Sequence, residues 1–196
     1  ARDPYFNRAK LYLETGELSD ADFQKYLPIA IAKEKVTPLF TVCPPKEVGL
    51  RKLCAFVKTY FPSPGTFGPH SASKPGSDKL DQVIEPDPDQ PFVARVFKTI
   101  VDPYVSRVSW LRCFRGSVSA DQGFLNVRTG KHEKVMALQV REGIENKTVD
   151  RVVAGDLFAV GKIESLSFGD TITADGHPVV MRSISFPSPT FSVAVN

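Results

Sequence analysis

From Phe61 to Pro91 the sequence reads FPSPGTFGPHSASKPGSDKLDQVIEPDPDQP, a run in which Pro, Gly, Ser and Asp dominate and apolar periodicity disappears. Proline fixes φ and removes a backbone donor, and glycine adds freedom, so this composition predicts neither a helix nor a strand ladder. It reads as an exposed linker over roughly 62–90, and linkers of this kind are where domain boundaries fall. A chain of 196 residues has room for one full domain plus an appendage, or for two small domains. The expected division is therefore 1–61, linker 62–90, a second domain over 91–186, and the start of a further one over 187–196.

On the N-terminal side of this stretch the apolar spacing is helical. Residues 5–15 (YFNRAKLYLET) read as a helix ending at Gly16. Ser19 is a good N-cap for a second helix carrying Phe23, Tyr26, Leu27 and Ile31, although Pro28 inside it removes one hydrogen bond. VTPLFTV over 36–42 has the β-branched and aromatic content of a short buried strand. The run Val48, Leu50, Leu53, Cys54, Phe56, Val57 and Tyr60 recurs at three and four, as in an amphipathic helix packed on that strand. Helix, strand and helix with a short turn make a small α/β piece.

On the C-terminal side the period changes to two. Strands are expected near 92–99, 105–115, 123–128, 132–140, 152–163 and 178–185, separated by turn signals such as Arg115-Gly116, Thr129-Gly130-Lys131 and Gly169-Asp170. Short strands at this spacing predict an antiparallel barrel or sandwich, so the fold class of the whole is α+β. Trp110 alternates with Val108 and is expected in the core rather than as a stacking platform for bases.

Charge separates the same regions. Residues 91–142 carry 9 basic and 4 acidic side chains, whereas the 12 basic and 12 acidic residues of 1–90 cancel. A positive field confined to one stretch of the second domain suits phosphate contacts made from hairpin tips. The candidates are Arg107, Arg115, Arg128, Lys131 and Lys134. Cys43, Cys54 and Cys113 contain no C-x-x-C pair, and His70, His132 and His177 are scattered, so no metal site is expected. Both Gly-Lys pairs, Gly130-Lys131 and Gly161-Lys162, lack the upstream Gly and the following Ser/Thr of a phosphate-binding loop. No catalytic residue is assigned, and the chain is not expected to be an enzyme by itself. It has no apolar run near the roughly 18 residues that span a bilayer, so no membrane role is expected.

Several motifs recur in one order. Lys98 precedes Asp102-Pro103, Arg112 precedes Gly116, and Asn126 precedes Gly130-Lys131. Then come Ala154-Gly155-Asp156, Gly169-Asp170-Thr171 and Phe186-Pro187-Ser188-Pro189. This series resembles the second domain of bacterial translation elongation factor G. TPLFTVCPPKEVGLRKLCAFVKTYFPSP is similar to the end of that family's GTPase domain, with Cys43-Pro44 where the family usually has Ser-Ala in the guanine-side loop. Pro44 has no N–H to offer there.

The resemblance implies a piece of a larger cytoplasmic protein: the end of a GTPase domain followed by a domain II β-barrel. It implies that the barrel rests on small-subunit ribosomal RNA and works with the parent's remaining domains, with no part for DNA. GTP or GDP with Mg would belong to the parent, and no cofactor to this piece, Cys43 and Pro44 marking the guanine-loop position. The alternative is a protein–protein adaptor barrel from a ribosome-protection or release-type relative.

Overall fold

The computed structural model describes residues 16–17, 19–102, 106–182, 184 and 186–188. The helix expected over 5–15, Pro103 and the stretch 189–196 lie outside them. The chain divides into two compact units, Ala1–Phe67 and Gly68–Asn196.

In the first unit, α1 spans Asp20–Ala32, and the Ser19 hydroxyl accepts from the Asp22 N–H at 3.1 Å as the N-cap. The helix runs through Pro28, so one missing N–H is tolerated within 13 residues. Residues 36–42 form no strand. β-Branched content favours a pleated surface only where a neighbouring strand exists, and the one bridge here is the isolated Cys43–Val48 pair. Leu39 is accordingly 94% exposed. A single 3-10 turn, Pro44–Lys46, leads through Gly49 at φ +81° into α2, Leu50–Tyr60. The α2 ring of Phe56 packs on Phe40 at 4.8 Å and on Tyr60 at 4.7 Å, and Phe23 of α1 meets Tyr60 edge-on at 6.3 Å.

The stretch read as a linker contains structure. A single turn, α3 (Pro64–Phe67), is followed by β1 (His70–Ser73) and β2 (Gln82–Ile84). With β13 (Val180–Met181) these strands make a three-stranded antiparallel sheet in the order β13-β1-β2. Ala72 and Ile84 are fully buried with Val93, Val179 and Met181. The expectation of no ladder is corrected here for a local reason. The prolines and glycines stand in the turns, including Gly76 at φ +76°, while the strands between them are only three or four residues long.

The larger sheet is built on a long hairpin, β3 (Val93–Asp102) and β4 (Ser106–Arg115). It continues with β6 (Gly123–Asn126), β7 (Lys131–Lys134), β8 (Leu138–Glu142), β9 (Glu145–Val149), β11 (Leu157–Gly161) and β12 (Thr171–Thr173). The order is β7-β6-β12-β3-β4-β11-β8-β9, every pairing antiparallel. A separate pair, β5 (Ser117–Ser119) with β10 (Arg151–Val153), contributes Val118 and Val152 to the same core as Leu111, Phe124, Leu138, Phe158, Leu166 and Ile172. Each such buried side chain contributes roughly 1.5–3 kcal/mol relative to exposure. The result is an antiparallel, barrel-like domain whose large sheet is not closed by a ladder between β7 and β9 among the described residues.

Trp110 corrects a parity. Leu111 and Cys113 are the buried residues of this part of β4, and Trp110 is half-buried, paired with Lys98 and Ala159. The change of direction after β4 occurs at Gly116, buried at φ +71°, whose N–H donates to the Asp87 carbonyl at 2.8 Å. That bond fastens the expected linker to the barrel.

Burial also determines thiol chemistry. Cys113 is fully buried, and burial, with a smaller contribution from the Asp156 charge, pushes its thiol from 9.0 up to about 12. Iodoacetamide at neutral pH is expected to alkylate exposed Cys54 and spare Cys113 until the unit unfolds, as read by mass spectrometry with and without urea. Because the folded thiol holds its proton more tightly, its contribution to stability is complete below about pH 9 and is lost as pH rises towards 12.

Candidate nucleic-acid interface

The five basic candidates have unequal surroundings. Arg115, at the end of β4, donates through Nε to the Pro91 carbonyl at 2.9 Å, and burial lowers its pKa. Arg128 follows β6 and forms a two-pronged pair with Asp170: Nε to Oδ1 at 2.6 Å and one terminal nitrogen to Oδ2 at 3.0 Å. That terminal nitrogen also donates to the Ser165 carbonyl at 2.8 Å. The bond to the Asp170 carboxylate raises the Arg128 pKa. These two guanidiniums hold the fold together and have little freedom to meet a phosphate.

The other three face outward to different degrees. Lys131 and Lys134 lie on β7, an edge strand of the large sheet. Lys134 makes an exposed ion pair with Asp121 at 3.1 Å, which water screens to a small net energy. The Lys131 ammonium has no acidic partner among the described residues. Arg107, near the end of the hairpin at which β3 passes into β4, is half-buried, and its Nε is buried without a hydrogen-bond partner among the described residues. The fold therefore does not gather the five into one cluster. Lys131 and Lys134 share an edge, and Arg107 stands at the end of another hairpin.

Cys43 and Pro44 offer a guanine ring no free backbone donor. The Cys43 N–H goes to the Val48 carbonyl at 3.0 Å, and Pro44 and Pro45 have none. The N–H groups of Lys46, Glu47 and Val48 all return to Cys43 or Pro44 carbonyls within 3.2 Å. A base read through backbone donors therefore does not fit this turn. A fluorescent GDP analogue titrated at micromolar concentrations is expected to show no saturable binding, and saturation would contradict this reading of the turn. Among the described residues there is no group of three or more His, Cys, Asp or Glu suited to a metal ion, and no helix is long and apolar enough to cross a membrane.

Two features escaped the sequence reading. Asp170, only 3% exposed in its side chain, accepts from Arg128, from the buried Asn126 amide at 3.1 Å and from the Ser167 N–H at 2.9 Å. Nearby is a cavity of about 470 Å³ bounded by Arg95, Arg128, Phe168, Asp170, Ile184 and Phe186. Its walls come from β3, the 167–171 turn and the segment after β13, which lie far apart in sequence, so no local pattern announces it.

Residues 91–175, which span β3 to β12 and the Asn126–Arg128–Asp170 network, match the family model for elongation factor G domain 2. This stretch is similar to elongation factor G domain 2. Elongation factor G of Amoebophilus asiaticus is 29% identical over 166 residues, covering 85% of this chain and 23% of that protein. A crystal structure from Thermus thermophilus has the same fold, with a TM-score of 0.63 and 24% identity over 87% of this chain and 23% of that one. The chain thus spans about a quarter of the length of the curated relative it matches.

Within the elongation factor G domain 2 segment, the ordered motifs are contact partners. Asn126 and Arg128, from the Asn-x-x-x-Gly-Lys hairpin, bind Asp170 of the Gly-Asp-Thr turn. Asp156 of Ala-Gly-Asp accepts from the Val153 N–H at 2.9 Å, and the Gly155 N–H donates to the Cys113 carbonyl at 2.8 Å.

Proposed function

We propose that this chain is part of a ribosomal translocase of the elongation factor G type, in which the second unit rests on small-subunit ribosomal RNA and couples the nucleotide state of the parent to tRNA and mRNA movement. The observation that carries this reading is the match of residues 91–175 to elongation factor G domain 2. The outward cations Lys131, Lys134 and Arg107 supply the chemistry, since each can neutralise a phosphate and release its counterions. GTP hydrolysis with Mg belongs, in this proposal, to other parts of the parent, because no phosphate-binding-loop motif occurs in this sequence.

The test is binding of the chain to isolated small subunits across a salt series. Two or three phosphate contacts give an expected log–log slope of roughly −2 to −3, at about 0.9 per contact. Replacing Lys131 and Arg107 together by alanine should flatten the slope by about two. A native slope near zero would favour a protein–protein adaptor. Superimposable native and doubly substituted curves would remove these two residues from the interface.

A further inference from the structure

The cavity bounded by Arg95, Arg128, Phe168, Asp170, Ile184 and Phe186 takes no part in the proposed ribosome contact. Its volume of about 470 Å³ lies within the range of small-molecule sites. Two properties define what suits it. Its apolar wall is exposed: Phe168 is 46%, Ile184 49% and Phe186 65% accessible, with the two rings 5.5 Å apart and tilted by 54°. Its charge is unbalanced as well. Arg128 and Asp170 neutralise each other, but Arg95 has no carboxylate partner among the described residues.

Among the described residues the Arg95 side chain makes one hydrogen bond, from a terminal nitrogen to the Arg182 carbonyl at 2.7 Å, and its Nε is buried with no partner. A buried donor without an acceptor is unfavourable, more so when it carries part of a charge. Burial lowers the Arg95 pKa, the direction expected of a cation short of solvation. A neutral apolar ligand would leave the Arg95 charge at the cavity wall without a counter-ion, and a bare inorganic anion would leave the rings in water. We propose that this cavity binds a planar aromatic anion, its ring against Phe168 and Phe186 and its phosphate, sulfonate or carboxylate on Arg95.

The probe is 8-anilinonaphthalene-1-sulfonate, an aromatic sulfonate that fluoresces on leaving water, titrated into the full chain. The expected result is saturable binding at one site. Arg95→Met, which retains the apolar stem, should raise Kd at least tenfold. Phe186→Ser removes an exposed ring without touching the core and should raise it roughly threefold or more. Lys147→Ala, on β9 and not among the residues that bound the cavity, should leave it unchanged. In displacement, phenyl phosphate and benzoate report which head group Arg95 prefers, and either should outcompete phenol and inorganic phosphate by about tenfold or more. Equal competition by phenol would exclude the charge, and equal competition by inorganic phosphate would exclude the apolar wall. Unsaturable binding, or affinity unaffected by both Arg95→Met and Phe186→Ser, would overturn the proposal.

Discussion

Alanine at position 116 should destabilise the second unit by at least about 3 kcal/mol, because two independent costs fall on one residue. The first is conformational: Gly116 sits at φ +71°, and an L side chain there costs roughly 1–2 kcal/mol. The second is steric. A Cβ would stand 2.3 Å from the Gln90 carbonyl oxygen, 2.6 Å from the Phe92 nitrogen and 2.7 Å from the Phe92 Cα. All three atoms are backbone, so no rotamer change relieves the overlap. Residues 90–92 must move, taking the buried Phe92 ring out of its packing against Phe158 and straining the Gly116 bond to Asp87. Gly76→Ala separates the two costs. Gly76 has nearly the same φ, +76°, with nothing within 4 Å of its Cβ position, so only the conformational part should appear. Urea denaturation of both variants decides: equal losses would mean that the crowding at Gly116 has no effect.

Asp170→Ala should lose about 3–5 kcal/mol, because it leaves the buried Asn126 amide and the Ser167 N–H without their acceptor, at about 1–3 kcal/mol each, and also releases Arg128. Four donor contacts end on this carboxylate, from Ser167, Asn126 and twice from Arg128. Arg128, whose side chain is 52% exposed, can turn to water once released. The Asn126 amide nitrogen cannot, being fully buried with only a 3.5 Å contact to the Ser165 carbonyl left for it to donate to. Arg128→Ala should cost less, about 1.5–3 kcal/mol, because Asp170 retains its Ser167 and Asn126 donors. The double variant should cost less than the sum, since the residues share one interaction. A loss below 1 kcal/mol for Asp170→Ala would show the network to be dispensable.

These sites show where a linear reading succeeds. Ser19 and the α2 stripe were legible because a cap and a 3.6-residue period act within a few residues of themselves. The Arg112…Gly116 spacing likewise marked a turn that requires glycine, though not the Gln90 and Phe92 backbone that crowds it. The strands β1 and β2 were hidden because composition averaged over thirty residues gives more weight to the turns than to three-residue ladders whose partners include β13, about a hundred residues later. Strand β9 has no apolar alternation to read, lying at an exposed edge. Trp110 was misassigned because β4 carries apolar residues on both faces, Val108 and Trp110 on one and Leu111 and Cys113 on the other, and parity in a strand is all or nothing. Among the basic residues, net charge marked the region but could not separate Lys131 from Arg128, whose partner lies 42 positions away.

The pairing of β1 with β13 has a mechanical consequence. Ala72 lies opposite Met181 and Ser73 opposite Val180, so the first and last strands among the described residues of the second unit are antiparallel neighbours. Both flanking segments therefore leave from the same end of this ladder. Tension drawn between them would peel the two strands apart one hydrogen bond after another, instead of loading all the bonds together in shear. The large sheet is not in that line of force. Under load the unit should yield first by a short, reversible extension at its seam, with the barrel core still folded behind it.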